Sequence, residues 1–508
     1  MKKFKTLLVV SITGVILCGC SALDLAPTDY YSIHNYWSSL PQCERFIIGL
    51  HLRMRNQQEN FLLMGEMRDG LFKTETSTTV GQSTYHLPIV SNNLSETNYG
   101  IAKWGAFYQD IYQINHAIEK IRKECAFLTD IQRNTFLGQL YGIRAYYYFH
   151  LFRTWGGVPL CDEPDILMTQ DLNKLDKSRA TEEQIYKFIR DDIDRSYECY
   201  STLSFDPYKN SFVYWNKAAT CCLLAEVYLW GAKVKPIGGT NVYADNIDAD
   251  MTKVITALNA AKATATPVSN FATVFKEKTA VNTEVIFALY FGVGESSNNF
   301  GYFTYPTATF TGYTDANGIE LVDPIQAGGG ALRYEWQFSF FESFSDTDTR
   351  KKATFFDFYK KDPITQEEIQ GVFLNKFIGV MNAGIRVYSD NYPIYRYMDI
   401  VLMLAEAECM RGDAPAVKAY IEEVRRRAYG LSFPPFTYTT QLDAEEAILE
   451  ERVKEFVAEG KNWYDKRRML GGEKAKVLVL NGDERLLLWP VDPATLSTDS
   501  KVEQTDGY

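Results

Sequence analysis

The chain has little of what catalytic and nucleic-acid-binding proteins commonly use. Histidine occurs five times in 508 residues, as His34, His51, His86, His116 and His150. These show no metal-ligand spacing and no HExxH. No GxSxG elbow, GxGxxG loop or CxxC pair is present, which removes the usual signatures of serine hydrolases, dinucleotide enzymes and small zinc sites. Basic residues are outnumbered, 53 Lys and Arg against 64 Asp and Glu, for a net charge of −11. With no basic stripe, nucleic acid is excluded as a partner. Long hydrophobic runs are also lacking: Leu7–Leu17 is too short to span a bilayer.

That run belongs to a leader. Lys2, Lys3 and Lys5 precede it, and Leu17-Cys18-Gly19-Cys20 follows. A basic start, a short apolar stretch and small residues before a cut describe an export signal over residues 1–19. The tetrapeptide resembles the bacterial lipobox, with Cys20 receiving the lipid, and residues 20–33 form the tether. Loss of the three lysines takes the net charge from −11 to −14. A lipid at Cys20 tethers the body without burying it in the membrane. The remaining cysteines, Cys43, Cys125, Cys161, Cys199, Cys221, Cys222 and Cys409, are odd in number and scattered through apolar segments, unlike a disulfide framework.

What is abundant is apolar helix. Gln139–Leu160 places aromatic or aliphatic residues on almost every side of a helical wheel, so this helix lies inside the protein. Its polar interruptions are Arg144 and His150, and a buried arginine requires a carboxylate. Thr129 is placed to cap it, and Thr181 to cap a later helix with Glu183 and Gln184 near the capping-box position. Helices are predicted from Tyr36 to Asn56, from Asn98 to Lys123, from Trp215 to Lys233 and from Ile394 to Gly412; a short piece runs from Trp463 to Arg468, after Gly460 stops a last long helix that begins at Glu445. In the last, Glu451, Arg452, Glu455 and Glu459 are spaced to pair along one helix. Leu224-Ala225-Glu226 and Leu404-Ala405-Glu406 repeat one pattern, with Gly231 and Gly412 a few residues on. Small residues between large ones allow close helix approach, and hairpins of this kind resemble tetratricopeptide repeats. Glu226 and Glu406 read as helix–helix partners rather than as paired acids.

Two segments break the helical texture. Met64–Asn98 is polar, rich in Thr, Ser and Asn, and reads as a long loop. Phe271–Phe377 begins with a strand at Glu284–Phe291 and continues as Gly-, Asn- and Thr-rich chain studded with aromatics. The fold class is therefore mainly α: a tetratricopeptide-like helical-hairpin platform with an irregular, loop-rich insertion carrying a few short strands. The divisions are residues 34–270 and 391–508 for the helical regions and 271–390 for the insertion.

Several of these residues together resemble the SusD/RagB family of outer-membrane nutrient-binding lipoproteins. The resemblance runs from Cys20, Leu23-Asp24 and Pro27 through Trp104, Tyr108, Ile111 and Asn115, then Arg144-Ala145 to Pro159. It continues through Trp215-Asn216, Tyr334-Glu335-Trp336, Asp348 and Arg350, then Arg396, Asp399 and Leu404-Ala405-Glu406-Ala407. Glu451-Arg452, Glu455, Glu459-Gly460 and Trp463 through Arg468 are its most specific part. The resemblance implies a protein anchored in the outer membrane through lipid on Cys20 and facing the cell exterior. It also implies a SusC-like TonB-dependent transporter as partner, oligosaccharide as ligand, and no cofactor.

Sugars present an apolar C–H face and a rim of hydroxyls, which suit Tyr or Trp faces bordered by Asn, Asp and Arg. Candidates are Tyr85, Asn92, Asn93 and Tyr99 from the first loop, and Tyr302, Tyr305, Tyr313, Arg333 and Trp336 from the insertion. Trp336 has a second reading, as an anchor between the two layers. Asp245, Asp248 and Asp250 read as a solvated loop leading to a helix cap rather than as calcium ligands. The alternatives to a glycan binder are a peptide-cargo binder, a glycan-degrading enzyme and a helical-repeat scaffold with no small-molecule cleft.

Overall fold

The computed structural model describes residues 36–75, 86–100, 103–163, 176–205, 212–276, 282–362 and 364–508. The leader, the tether and Cys20 lie outside these residues, as does Tyr85. Among the described residues no helix is long and apolar enough to cross a membrane.

The longer helices are α1 (Leu40–Asn56), α2 (Gln58–Glu66), α3 (Gly105–Lys123), α4 (Asp130–Trp155), α5 (Glu182–Cys199), α6 (Lys217–Lys233) and α7 (Ile247–Lys262). After the insertion come α8 (Tyr397–Arg411), α9 (Ala414–Tyr429), α10 (Gln441–Glu455) and α11 (Asn462–Arg468). Each packs against its chain neighbour, α4 on α5, α6 on α7 and α8 on α9, and α8 also packs on α7. The stack of hairpins therefore continues in space across a break of more than a hundred residues in sequence, which is the tetratricopeptide-like arrangement.

The caps form as their side chains require. Thr129 and Thr181 each accept from the backbone N–H three residues on, and Gln132 and Gln184 reach back to the cap N–H. α4 is buried from Thr135 to Trp155. Arg144 within it finds Asp192 of α5, Nε to Oδ2 at 2.6 Å and Nη2 to Oδ1 at 2.8 Å. Glu406 of α8 is held by both Nε and Nη2 of Arg468, each at 2.9 Å, and Glu226 of α6 accepts from the Tyr395 hydroxyl at 2.7 Å. Asn246 caps α7, and Asp250 pairs with Arg190 at 2.7 Å. Both cysteines of the Cys221-Cys222 pair are buried in α6.

Among the described residues, three two-stranded antiparallel ribbons form within the insertion and at its junction with α8. β1 (Val285–Leu289) pairs with β6 (Tyr392–Arg396), β2 (Phe355–Lys361) with β3 (Glu368–Leu374), and β4 (Val380–Asn382) with β5 (Ile385–Val387). β1 falls within the predicted strand. β6 occupies the stretch expected to begin α8, because Arg396 turns the chain there and Asp399 accepts its backbone N–H at 2.9 Å. A small second core of Tyr305, Phe310, Leu332, Phe358, Phe373, Ile378 and Tyr388 gathers the middle of the insertion.

Buried ions join the insertion to the C-terminal helices. Arg396 contacts Glu284 at 3.0 Å, Glu455 at 2.5 Å and Glu459 at 2.8 Å, all without solvent exposure. Arg350 pairs with Asp348 and Glu451, each at 2.8 Å, and Lys376 pairs with Glu459 at 2.8 Å. This corrects the expectation that Glu451, Arg452, Glu455 and Glu459 pair along one helix. α10 ends at Glu455, Arg452 reaches Asp465 at 2.7 Å, and the glutamates serve partners distant in sequence. Tail residue Trp489 is fully buried and donates its backbone N–H to the Thr154 carbonyl at 2.8 Å, closing the chain against α4.

Candidate functional site

The first polar loop and the aromatic insertion, far apart in sequence, meet along a seam. Phe72 and Trp336 form an antiparallel bridge, with ring centroids 4.5 Å apart. Lys73 N–H donates to the Glu335 carbonyl at 2.7 Å, and Gln337 N–H to the Leu71 carbonyl at 2.8 Å. Further along the loop, the His86 ring stacks at 6.2 Å on Tyr334, which also packs on Phe300 and Phe303. His86 adopts φ 54° as it enters the short Leu87–Val90 helix. Burial brings the pKa of its imidazole down to about 4, so the ring is neutral at physiological pH.

The outer lip of the seam comes from two crossing segments of the insertion. Ala331 N–H donates to the Tyr302 carbonyl at 2.8 Å and Arg333 N–H to the Phe303 carbonyl at 2.6 Å. These bonds set Tyr302 and Arg333 close together. Tyr302 is 40 % exposed, and its ring is supported edge-on by Phe303 at 5.3 Å and Tyr388 at 6.0 Å. A tyrosine propped from behind and open in front is a ready stacking face. Arg333 is half-buried beside it.

Other expected site residues separate by burial. Tyr305 is 0 % exposed, its hydroxyl donates to Asp323 at 3.0 Å, and the Arg386 guanidinium covers its ring at 3.9 Å. Trp336 is 1 % exposed between the two layers. Neither offers a face to a ligand, so both are corrected from site residues to core, and the anchor reading of Trp336 is the one that its burial supports. Asn92 is committed at both ends of its amide, accepting from Arg68 Nε at 2.7 Å and donating to the Arg68 carbonyl at 3.0 Å. It fixes the loop beneath the seam. Asn93 is exposed and Tyr99 half-buried on the same loop. Tyr313 is half-buried on the second core, edge-on to Phe358 at 5.1 Å, with the Lys360 ammonium 5.5 Å from its ring. His86, Phe303 and Tyr388 are seam residues that the sequence reading did not single out. The signal available was the lone Tyr85-His86 pair ahead of Pro88, a turn opening a one-turn helix.

Glu226 and Glu459 share one internal void of about 20 Å³, the size of a water molecule rather than a sugar ring.

A tetratricopeptide-like helical stack that carries an aromatic-lipped insertion across one loop defines a class of binding platform. Within that class the chain belongs to the SusD family. The SusD family model matches residues 300–508, and a model described as "Starch-binding associating with outer membrane" matches residues 53–229. A SusD superfamily protein of Bacteroides fragilis NCTC 9343 is 36% identical, with TM-score 0.81 over 93% of this chain and 100% of that one. NanU of B. fragilis is 30% identical, with TM-score 0.81 over 95% of this chain and 100% of that one. SusD-like protein P38 of Formosa agariphila is 24% identical over the whole of both chains.

Proposed function

We propose that the protein is a cell-surface glycan-binding lipoprotein. It is anchored in the outer membrane through lipid on Cys20, captures oligosaccharide without altering it, and delivers it to a SusC-like TonB-dependent transporter. The family description, starch binding in association with the outer membrane, supports this reading. Fold relatives include a laminarin-binding SusD-like protein and surface glycan-binding protein A of Bacteroides uniformis. The observation that carries the reading is the seam. There Tyr302 supplies an open aromatic face, Arg333 a polar residue on the crossing segment of chain, and His86 of the first loop a ring against Tyr334; Asn93 and Tyr99 follow on that same loop. Tyr313 lies further along the insertion and serves a longer chain.

The test is calorimetry of the mature protein against a panel of neutral oligosaccharides, with Tyr302→Ala beside the wild type. The expected result is binding to one glycan class, weakened about tenfold in the variant, a loss of about 1.4 kcal/mol. Silence with every glycan, alongside capture by the barrel partner, establishes the scaffold instead. Release of shorter sugars establishes an enzyme.

A further inference from the structure

Apart from the seam, the helical platform encloses a cavity of about 260 Å³ at the C-terminal end of α6, beside the first turn of α5 and the end of α11. Gly239 and Tyr243 belong both to its wall and to that of an adjoining groove of about 640 Å³. Its charge runs against that of the whole protein. Four cationic side chains and two carboxylates line it, in a chain of net charge −11.

Two of those cations form no direct ion pair among the described residues, although Glu182 lies near enough to attract Arg467. Of the fully buried arginines, Arg350, Arg396, Arg452 and Arg468 each meet a carboxylate, while Arg68 is satisfied by Asn92 and three backbone carbonyls. Arg467 is only 8% exposed, yet among the described residues it forms no ion pair; its Nη1 donates to the Arg153 carbonyl and its guanidinium lies 5.3 Å from the Trp230 ring. Burial brings its pKa down to about 10, where it still carries its charge at neutral pH. The acid on the same wall, Glu182, is already engaged by the Tyr243 hydroxyl at 2.6 Å and the Ile237 N–H at 3.4 Å. Burial pushes that carboxyl above its usual range, while the Tyr243 hydroxyl, the Ile237 N–H and the Arg467 charge draw it back. Lys235, exposed at the rim, likewise makes no ion pair with a described residue, whereas Lys233 and Lys476 are taken by Glu406, Glu445, Glu473 and Glu484. Trp230 lies sealed beneath Arg467 on the same wall, whereas Tyr243 is half-buried and open to the cavity.

Cations with no ion pair beside the half-buried Tyr243 ring call for a small ring that bears a carboxylate and hydroxyls. The volume lies just below the range of pockets for drug-sized ligands, about 300–1,000 Å³, on the scale of one sugar ring. We propose that this cavity is a second ligand site, separate from the seam, which takes a single uronic acid residue with its carboxylate toward Arg467 and Lys235 and its ring against Tyr243. The adjoining groove leaves room for the rest of an acidic oligosaccharide.

The probe is glucuronate, titrated calorimetrically into the intact mature protein, with glucose as the uncharged control. Glucuronate is expected to bind at least tenfold more tightly than glucose. Lys235→Ala, an exposed site that leaves the fold intact, is expected to weaken it at least threefold, and Arg467→Met at least tenfold at an unchanged melting temperature. Tyr302→Ala is expected to leave it unchanged. If Arg467→Met melts early, the Lys235→Ala and glucose titrations decide between the outcomes. Equal affinity for glucose, wild-type affinity in Lys235→Ala, no binding of glucuronate, or its loss in Tyr302→Ala each overturns the proposal.

Discussion

Replacing Arg396 with Met tests what holds the binding layer onto the helical stack. The guanidinium closes β6 and meets Glu284, Glu455 and Glu459, with a further bond from Nη2 to the Glu455 carbonyl at 2.8 Å. Methionine fills much of the same space but leaves three buried carboxylates one cation short. Breaking a buried pair by removing one partner costs about 3–5 kcal/mol. Each carboxylate keeps another partner, Glu284 and Glu455 through Arg427 and Glu459 through Lys376. The lower end, about 3 kcal/mol, is therefore expected. Acid should expose the same defect. Burial alone would push the Glu455 carboxyl up, but the Arg427 and Arg396 guanidinium groups outweigh it and hold it well below its usual range; Glu459 is likewise held low by Arg396 and Lys376. Stability from a depressed carboxyl is fully present above the unfolded value, about 4.3, and is lost as pH falls through the folded one. Arg396→Met raises the folded values, so acid unfolding should begin at higher pH than in the wild type. The assay is urea unfolding followed by tryptophan fluorescence and far-UV circular dichroism, with exposed Arg485→Met as the control. A variant within about 1 kcal/mol of the wild type, the level of a surface pair, would refute the reasoning.

Other outcomes follow from single contacts. Gly65→Ala would place a Cβ 1.8 Å from the Gly460 carbonyl oxygen, where backbone cannot step aside, and should lower stability by about 1–3 kcal/mol or more. Gly49→Ala in α1 meets nothing within 4 Å and should be neutral or stabilising in the same melt. Burial brings the His51 pKa down to about 4, and neutral His51 bridges the Ile47 carbonyl and the Trp215 N–H. The unfolded chain takes up a proton near pH 6.5 that the native chain refuses, so stability falls between pH 7 and pH 5, by about 2 kcal/mol from this residue. His51→Gln should flatten that slope in urea titrations at the two pH values. Tyr305→Phe, remote from solvent, should leave glycan affinity within about twofold of the wild type in the calorimetry that detects Tyr302→Ala.

The platform is legible in the sequence because its signals are local. The all-apolar wheel of α4, the Thr129 and Thr181 capping boxes and the two Leu-Ala-Glu segments are each read within about twenty residues, and all appear in the structure. β6 was hidden because Ile394 and Met398 continue the apolar spacing of α8 backwards, and the β2–β3 ribbon because β2 lacks a clean apolar–polar alternation, its burial running buried, half-buried, buried, buried. The glutamates of α10 have the right spacing for helical pairing, yet their partners come from over twenty to well over a hundred residues away, which spacing cannot reveal. The site was legible only as regions. In a loop no period assigns a face, so Tyr302 and Tyr305, three residues apart, could not be told apart, although one is open and the other sealed under Arg386.

The most direct test of the seam as the capturing surface is amide hydrogen exchange with and without the neutral oligosaccharide found by calorimetry. Binding at the seam predicts slowed exchange in residues 86–99, 300–304 and 331–334, with the hairpins α4 through α7 unchanged. Protection confined to those hairpins, or none at saturating ligand, would contradict it.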